Sequence, residues 1–272
     1  MTNEQELKRE LQAIQKNHYD VPEDVDAYPY AQWMLDFIGS TDAELRDELI
    51  YSTLAKWIKN GVFRDKELRG LLLQTLSEDY LFYGIGEKET DSVFKRAFSV
   101  LIPPLILSIH EKKPFLSQEQ LYSVAEQVLE YIYLEKDVRG YVEGKGWAHA
   151  TAHAADALHA LARSLPEQWF ALELLKAAHH MIAKQDYVYT DLEDERLASA
   201  IFAVYEQQVL SAEEWRNWLY TLVDFKAYRP QNGVVLQNMK TFVRTLYFRA
   251  EKEKMHVFKQ EILGVLWEIE GK

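Results

Sequence analysis

The feature that most constrains this chain is a regular succession of helix starts. Signals that begin a helix recur near residues 41, 66, 91, 118, 147, 167, 192, 212, 234 and 254. Between them, apolar residues return every three or four positions, the period of an amphipathic helix. No stretch alternates convincingly as a strand would. Pair starts lie roughly 40 to 55 residues apart, near the spacing of helix-pair repeats of the HEAT and armadillo kind. The expected fold is therefore all-α: an α-solenoid, a HEAT-like α/α superhelix of stacked helix pairs, with a compact multi-helix bundle as the alternative. No repeated sequence accompanies the rhythm, and no linker is long or biased enough to mark a boundary. Residues 1–272 are read as one all-helical domain, with 1–39 as an irregular N-terminal cap and 40–272 as helix pairs.

Local signals place the individual helices. Thr41 with Glu44, Ser117 with Gln120, and Ser211 with Glu214 have capping-box spacing, in which hydroxyl and side-chain oxygen each satisfy a backbone donor. Asp65 and Asp91 open two more helices. Pro103-Pro104 must kink or split the second of these, because both residues lack the amide donor. Arg229-Pro230-Gln231-Asn232-Gly233 reads as a turn.

Composition excludes several function classes. There are no cysteines, which removes disulfides, zinc–cysteine sites, iron–sulfur clusters and thiol chemistry, and fits a reducing cytoplasm. The first residues, MTNEQELKRELQ, are charged and lack the apolar core of a signal peptide. The longest apolar run, Phe98 to Ile109, has twelve residues and a proline pair, which reads as a buried helix rather than a membrane span. A net charge of −12 disfavours nucleic acid and anionic membrane as partners, while leaving room for a local basic pocket. The expected setting is cytoplasmic.

Chemistry concentrates in Asp137 to Leu161, DVRGYVEGKGWAHATAHAADALHAL. On a helical wheel His149, His153, Asp156 and Ala160 share one narrow face, with Thr151, Ala154, Leu158 and Leu161 opposite or beside it. The dense alanines let neighbouring helices approach closely, so this helix is expected at the centre of the fold. His149 and His153 are spaced i, i+4, which lets two imidazoles meet one metal ion. The string is H-A-T-A-H, however, without the glutamate base of the zinc peptidases. Asp156 stands about 10 Å along the axis from His149, placed to orient His153 rather than to share a metal. If successive pairs align, Asp194 falls beside His149, flanked by Glu193 and Glu195. The bland reading of that acidic turn is complementarity to the helix dipole, with Glu193 and Arg196 as a surface pair. The preceding loop carries Arg139, Lys145, Gly140, Gly144 and Gly146. Its backbone amides could cradle an anion at a helix N-terminus, or the glycines could simply serve a turn with positive φ.

Three readings of the two-histidine face stand side by side: a structural hydrogen-bonded cluster, a metal-free ligand or catalytic pocket, and a metal site. The candidate catalytic residues are His149, His153 and Asp156. Candidate ligand-binding residues are Arg139, Lys145, Trp147, Arg196 and Asn238, and the candidate ligands of a divalent metal are His149, His153 and Asp194.

The strings RGYVEGK and GWAHATAHAADAL resemble the bacterial proteins grouped as domain-of-unknown-function family 2785, as do GIGEKETDSVFKRAFSVL, DERLASAI and NMKTFVRTLYF. The resemblance runs from about Tyr30 onward. It implies a bacterial cytoplasmic protein with an all-helical fold. By position, His149, His153, Asp156, Arg139, Asp194, Arg196, Arg96 and Asn238 fall within or beside these strings, and no catalytic role comes with them. Two functional expectations follow. One is a metal-assisted or general-base hydrolase, with His149 as base or ligand and Asp156 orienting its neighbour. The other is a helical-repeat scaffold binding a peptide or small anionic ligand in a concave groove. Damage-binding on DNA is disfavoured by the acidic charge.

Overall fold

The computed structural model describes residues 3–223 and 232–270. The fold is all-α. In chain order come α1 (Asn3–Lys16), α2 (Ala27–Asp36), a π-helical segment (Glu44–Tyr51) that runs directly into α3 (Ser52–Lys59), α4 (Asp65–Thr75), α5 (Ser92–Ser99), α6 (Ile102–Lys112) and α7 (Gln118–Leu134). A two-residue-per-strand hairpin follows, β1 (Tyr141–Val142) and β2 (Gly146–Trp147). Then come α8 (Ala150–Ser164), α9 (Gln168–Ile182), α10 (Glu193–Gln207), α11 (Ala212–Thr221), α12 (Asn232–Lys252) and α13 (His256–Glu270).

The expected caps are largely present. Ser117 and Ser211 form complete capping boxes with Gln120 and Glu214. The proline pair splits its helix: α5 ends at Ser99, and Pro103 sits in the first turn of α6, where a missing amide costs nothing. The box expected at Thr41 is not formed. Asp42 accepts from the Leu45 amide instead, and its own amide donates to Ser40 Oγ. Asp91 makes no cap hydrogen bond and is paired with Lys145. The turn expected at Arg229–Gly233 lies outside the described residues, except that α12 already begins at Asn232.

Two series of helix contacts run through the fold. In one, α1 meets the π-helical segment, α3 meets α6, α5 and α6 meet α8, α8 meets α10, and α10 meets α12. In the other, α2 meets α4, α7 meets α9, α9 meets α11, and α11 meets α13. Side-chain bonds give the direction of the first series. Arg196 donates to Asp156, and His159 bonds to Ser199 O, both at a separation of 40 residues. Thr245 bonds Asp194 and Arg249 bonds Ser199 at separations of 51 and 50. A near-constant offset means that α8, α10 and α12 run parallel.

Helix α8 can touch five neighbours because its sides are small. Ala150, Ala152, Ala154, Ala155, Ala157 and Ala162 are each at most 2% exposed, and α5, α6, α7, α9 and α10 all contact it. Ser92–Lys112, which comprises α5 and α6, is apolar enough by length and composition to cross a membrane, a longer span than the twelve-residue run suggests. In the fold, 67% of its most apolar window is buried.

One buried cation joins the N-terminal region to the hairpin. Arg46 is fully buried, carried by the π-helical segment, whose wider turn offsets it from an α-helical position. Its Nη1 donates to Ser40 O at 2.6 Å, and its Nη2 donates to Lys145 O at 2.9 Å and Trp147 O at 3.2 Å. Nε lies 2.8 Å from Asp47 Oδ1. Phe94 and Phe98 flank the guanidinium at 4.3 and 4.8 Å. Gly146, at φ +79°, is required here, since a Cβ would lie 2.7 Å from Ala43 Cβ. Arg46→Met keeps the volume but orphans three carbonyls and Asp47. It should therefore cost about 3 kcal/mol, read as a fall in the urea midpoint at unchanged slope. A loss below about 1 kcal/mol, the scale of an exposed ion pair, would show that Arg46 does not hold the hairpin.

Candidate functional site

The two parallel helices α8 and α10 begin side by side, and each is preceded by a non-glycine residue in the left-handed region. His149 has φ 54°, and Leu192 has φ 67°. Such backbone is disfavoured for L-residues and clusters where surrounding structure over-determines a conformation. For His149 the surroundings are explicit. Its amide donates to Arg139 O at 3.0 Å, and its ring stacks on Trp147 with centroids 4.2 Å apart. The His153 ring meets it edge-on at 5.8 Å.

Opposite stands the segment before α10. Gly140 lets it come close: a Cβ there would lie 1.9 Å from Asp191 Oδ2. The Asp191 amide donates to Glu193 Oε2 at 2.8 Å. Glu193 is 1% exposed, and its Oε1 is buried without a hydrogen-bond partner, as is Nε2 of His149. One ligand-type atom from each of His149, Asp191 and Glu193 lies within 4.8 Å of the other two. Burial raises the Glu193 pKa, partly offset by its backbone bonds, and the Asp191 and Asp194 charges push the same way as burial. Burial lowers the pKa of His149, against the raising effect of Asp191. The imidazole is therefore neutral at pH 7.

The sequence-derived candidates divide. His149 is at the centre of this cluster, and Trp147 forms one side of it. His153 is buried and its Nδ1 bonds to Ala97 O at 3.0 Å, so α5 orients this ring rather than Asp156. Asp156 is paired with Arg196, and burial raises its pKa despite that partner. Asp194 turns toward α12 and accepts from Thr245, away from His149. Glu193, read from the sequence either as flanking Asp194 beside His149 or as half of a surface pair with Arg196, is the buried carboxylate of the site. Arg139 is bound to Asp137 and Thr90 O, and Lys145 to Asp91. Asn238 is buried beneath the same segment, accepting from the Tyr189 amide and donating to Tyr187 O. It shapes the approach to Asp191 without entering the cluster.

Four amides in and after the glycine-rich loop are already used inside the fold. The amides of Gly140, Lys145, Ala148 and His149 are bonded to Tyr187 Oη, Val142 O, Gly140 O and Arg139 O respectively. Gly144 and Gly146 have φ of +75° and +79°, so the turn requirement accounts for them. Asp191 opens the acidic stretch DLEDER (residues 191–196) that the sequence places at this site, but sequence reasoning named Asp194 within it and gave Asp191 no role of its own.

A cleft of about 640 Å³ lies elsewhere, at the end of α9, lined by Lys176, His179, His180, Lys184 and Asp186. Basic groups in a last turn complement the helix dipole, and burial takes the His180 pKa down to about 4.

Taken together, fold and site define an all-helical protein with a partly buried histidine–carboxylate cluster at two paired helix starts. The chain matches the family described as Protein of unknown function (DUF2785) over residues 81–248. It belongs to that family. The matched span contains every residue of the cluster, and is narrower than the resemblance from Tyr30 onward. Comparison with curated proteins and with solved structures gives no match.

Burial lowers His153 to about pH 3 and His180 to about 4. In the unfolded chain both take up a proton near pH 6.5. Stability contributed by keeping them neutral is complete above 6.5 and falls as pH drops toward the folded values, by about 1 kcal/mol per pH unit for each. Asp47, raised to about 6 by burial, acts in the opposite sense, so variant and parent are compared over the same range. Between pH 6.5 and 4.5, His153→Gln should lose stability less steeply than the parent, by about 1 kcal/mol per pH unit, in urea titrations. Parallel slopes would contradict a buried neutral ring.

Proposed function

We propose that this chain is a helical-repeat binding protein, an α-solenoid of stacked helix pairs that holds an acidic peptide or small anionic ligand along the exposed face of its parallel helices. The contact order of the two helix series supports the solenoid: each helix touches its counterpart in the next pair, as stacking requires. The groove reading rests on one observation, a line of arginines along that face. Arg163 on α8, Arg196 on α10 and Arg249 on α12 all reach between neighbouring helices, to Glu111, Asp156 and Ser199. Two clefts open beside them. One, of about 260 Å³, is lined by Tyr51, Leu107, Glu111, Asp156, His159 and Arg163. The other, of about 560 Å³, is lined by Glu195, Thr241, Arg244, Phe248, Arg249 and Lys252.

Ion pairs whose arginine is exposed, as in Arg163–Glu111 and Arg196–Asp156, contribute little to stability, about 0–1 kcal/mol each. Their arginines can exchange an intramolecular carboxylate for one on a ligand at small cost, and their planar fork suits bidentate recognition. The proposal includes a cytoplasmic setting and excludes nucleic acid and anionic membrane as partners, in keeping with the net charge of −12.

The hydrolase reading ranks second. A neutral imidazole beside two carboxylates favours it. Against it, His149 Nε2 is buried, where a general base would have to reach substrate or water.

A fluorescent glutamate-rich peptide separates the two. It should bind the parent protein, while a lysine-rich peptide of equal length should not, although the acidic net charge by itself predicts the reverse. Arg163→Ser with Arg196→Ser should weaken binding at least tenfold and move the melting temperature by no more than a few degrees. Equal binding by parent and double variant, or preference for the lysine peptide, would count against the groove.

A further inference from the structure

The buried carboxylates among the described residues are Glu135, Asp137 and Glu193. Glu135 is paired with Arg96 through two bonds of 2.6 and 2.9 Å, and Asp137 with Arg139. Glu193 has no cation partner among the described residues. The basic groups nearest in the sequence and the fold are committed elsewhere: Arg196 to Asp156, Arg139 to Asp137, Lys145 to Asp91 and Arg46 to backbone carbonyls. A buried carboxylate without a counter-charge is strongly disfavoured. Here a second carboxylate, Asp191, is brought against it through the space left by Gly140.

We propose that His149, Asp191 and Glu193 together bind one divalent transition-metal ion, zinc or manganese by their donor set. One imidazole nitrogen and two carboxylate oxygens are borderline ligands: imidazole suits zinc and iron, and carboxylates extend the range to manganese. The orphan atoms Nε2 of His149 and Oε1 of Glu193 are the lone-pair donors such an ion would take. Ligands about 2.1 Å from a tetrahedral zinc stand roughly 3.4 Å apart. The present limit of 4.8 Å therefore closes by small side-chain rotations. The outer contacts are also in place. Trp147 fixes the plane of the imidazole, and the Asp191 amide holds the other oxygen of Glu193. The ion would bolt the starts of α8 and α10 together and supply the charge that Glu193 lacks. This assignment is independent of the arginine groove: an ion at these helix starts neither requires nor forbids a ligand along the face.

The test uses the full chain without an affinity tag, stripped with chelator and then equilibrated with Zn²⁺, Mn²⁺ or Co²⁺. Elemental analysis should find about one ion per chain. Co²⁺ should give visible ligand-field bands of a nitrogen–oxygen site. Glu193→Gln and Asp191→Asn, both isosteric, should each weaken binding at least tenfold, whereas Asp194→Asn should not. Circular dichroism on each variant separates lost binding from lost folding. Absence of stoichiometric uptake by the folded parent would overturn the proposal. Uptake unchanged in both folded variants, or abolished only by Asp194→Asn, would overturn it equally.

Discussion

Close approach to α8 is the constraint on which the rest of the structure depends. A helix that touches five others cannot carry large side chains on every side, because interiors are packed to crystal-like density and leave no room for adjustment. The six buried alanines meet that demand. They also fix what α8 can contribute chemically, since a polar group on so narrow a cylinder is pressed against a neighbour at once. Thr151 meets Tyr189 Oη, His153 meets the Ala97 carbonyl, Asp156 meets Arg196, and His159 meets the Ser199 carbonyl. Each of these four polar side chains thus serves as a register mark against α5, α10 or the segment before α10.

At the start of α8, register is imposed from outside the helix. The hairpin is too short to be stable alone, because two residue pairs cannot offset the entropy of ordering their turn. Arg46 compensates by donating to the carbonyls of Lys145 and Trp147 from below, and the amides of Ala148 and His149 close the loop onto Gly140 and Arg139. His149 is thereby held in a left-handed conformation that few histidines adopt. Strain of this kind persists where several contacts agree on one geometry. In this chain they agree on presenting an imidazole toward the start of α10.

Much of this was legible in the sequence, for reasons specific to particular residues. Helix positions followed from caps and from apolar spacing, because Ser117, Ser211 and the proline pair act within one turn of themselves. The central place of α8 followed from its alanines, and the approach of the α10 start to His149 followed from aligning successive helix starts. What local signals could not supply was which side chain of the acidic turn faces inward. Asp194 and Glu193 are adjacent, so they point about 100° apart on a helix. The assumed starts at 147 and 192 imply an offset of 45 residues, whereas the N-caps His149 and Leu192 stand 43 apart, and that difference in register decides which carboxylate faces His149. Asp191, at the head of the same acidic stretch, went without a role for a related reason. Its position depends on the missing Cβ of Gly140, some fifty residues away, and no local pattern reports a long-range absence of atoms.

The buried charges show how consistently this protein compensates for desolvation, and why one departure carries weight. Arg96 is held by Glu135, by two carbonyls and by Ser92 Oγ. Glu135 also accepts from the Asp137 amide, and Asp137 accepts from the Glu89 amide and from Arg139. Each member has its oxygens or its N–H groups matched, as low-dielectric surroundings demand. A fold that satisfies one chain of buried ions so fully has the means to place an arginine beside Glu193 as well. Arg196, three residues further along α10, is positioned to do so and turns to Asp156 instead. The unmatched carboxylate is then a property of the site rather than a lapse in packing, and its second oxygen is free for whatever the α8 and α10 starts converge upon.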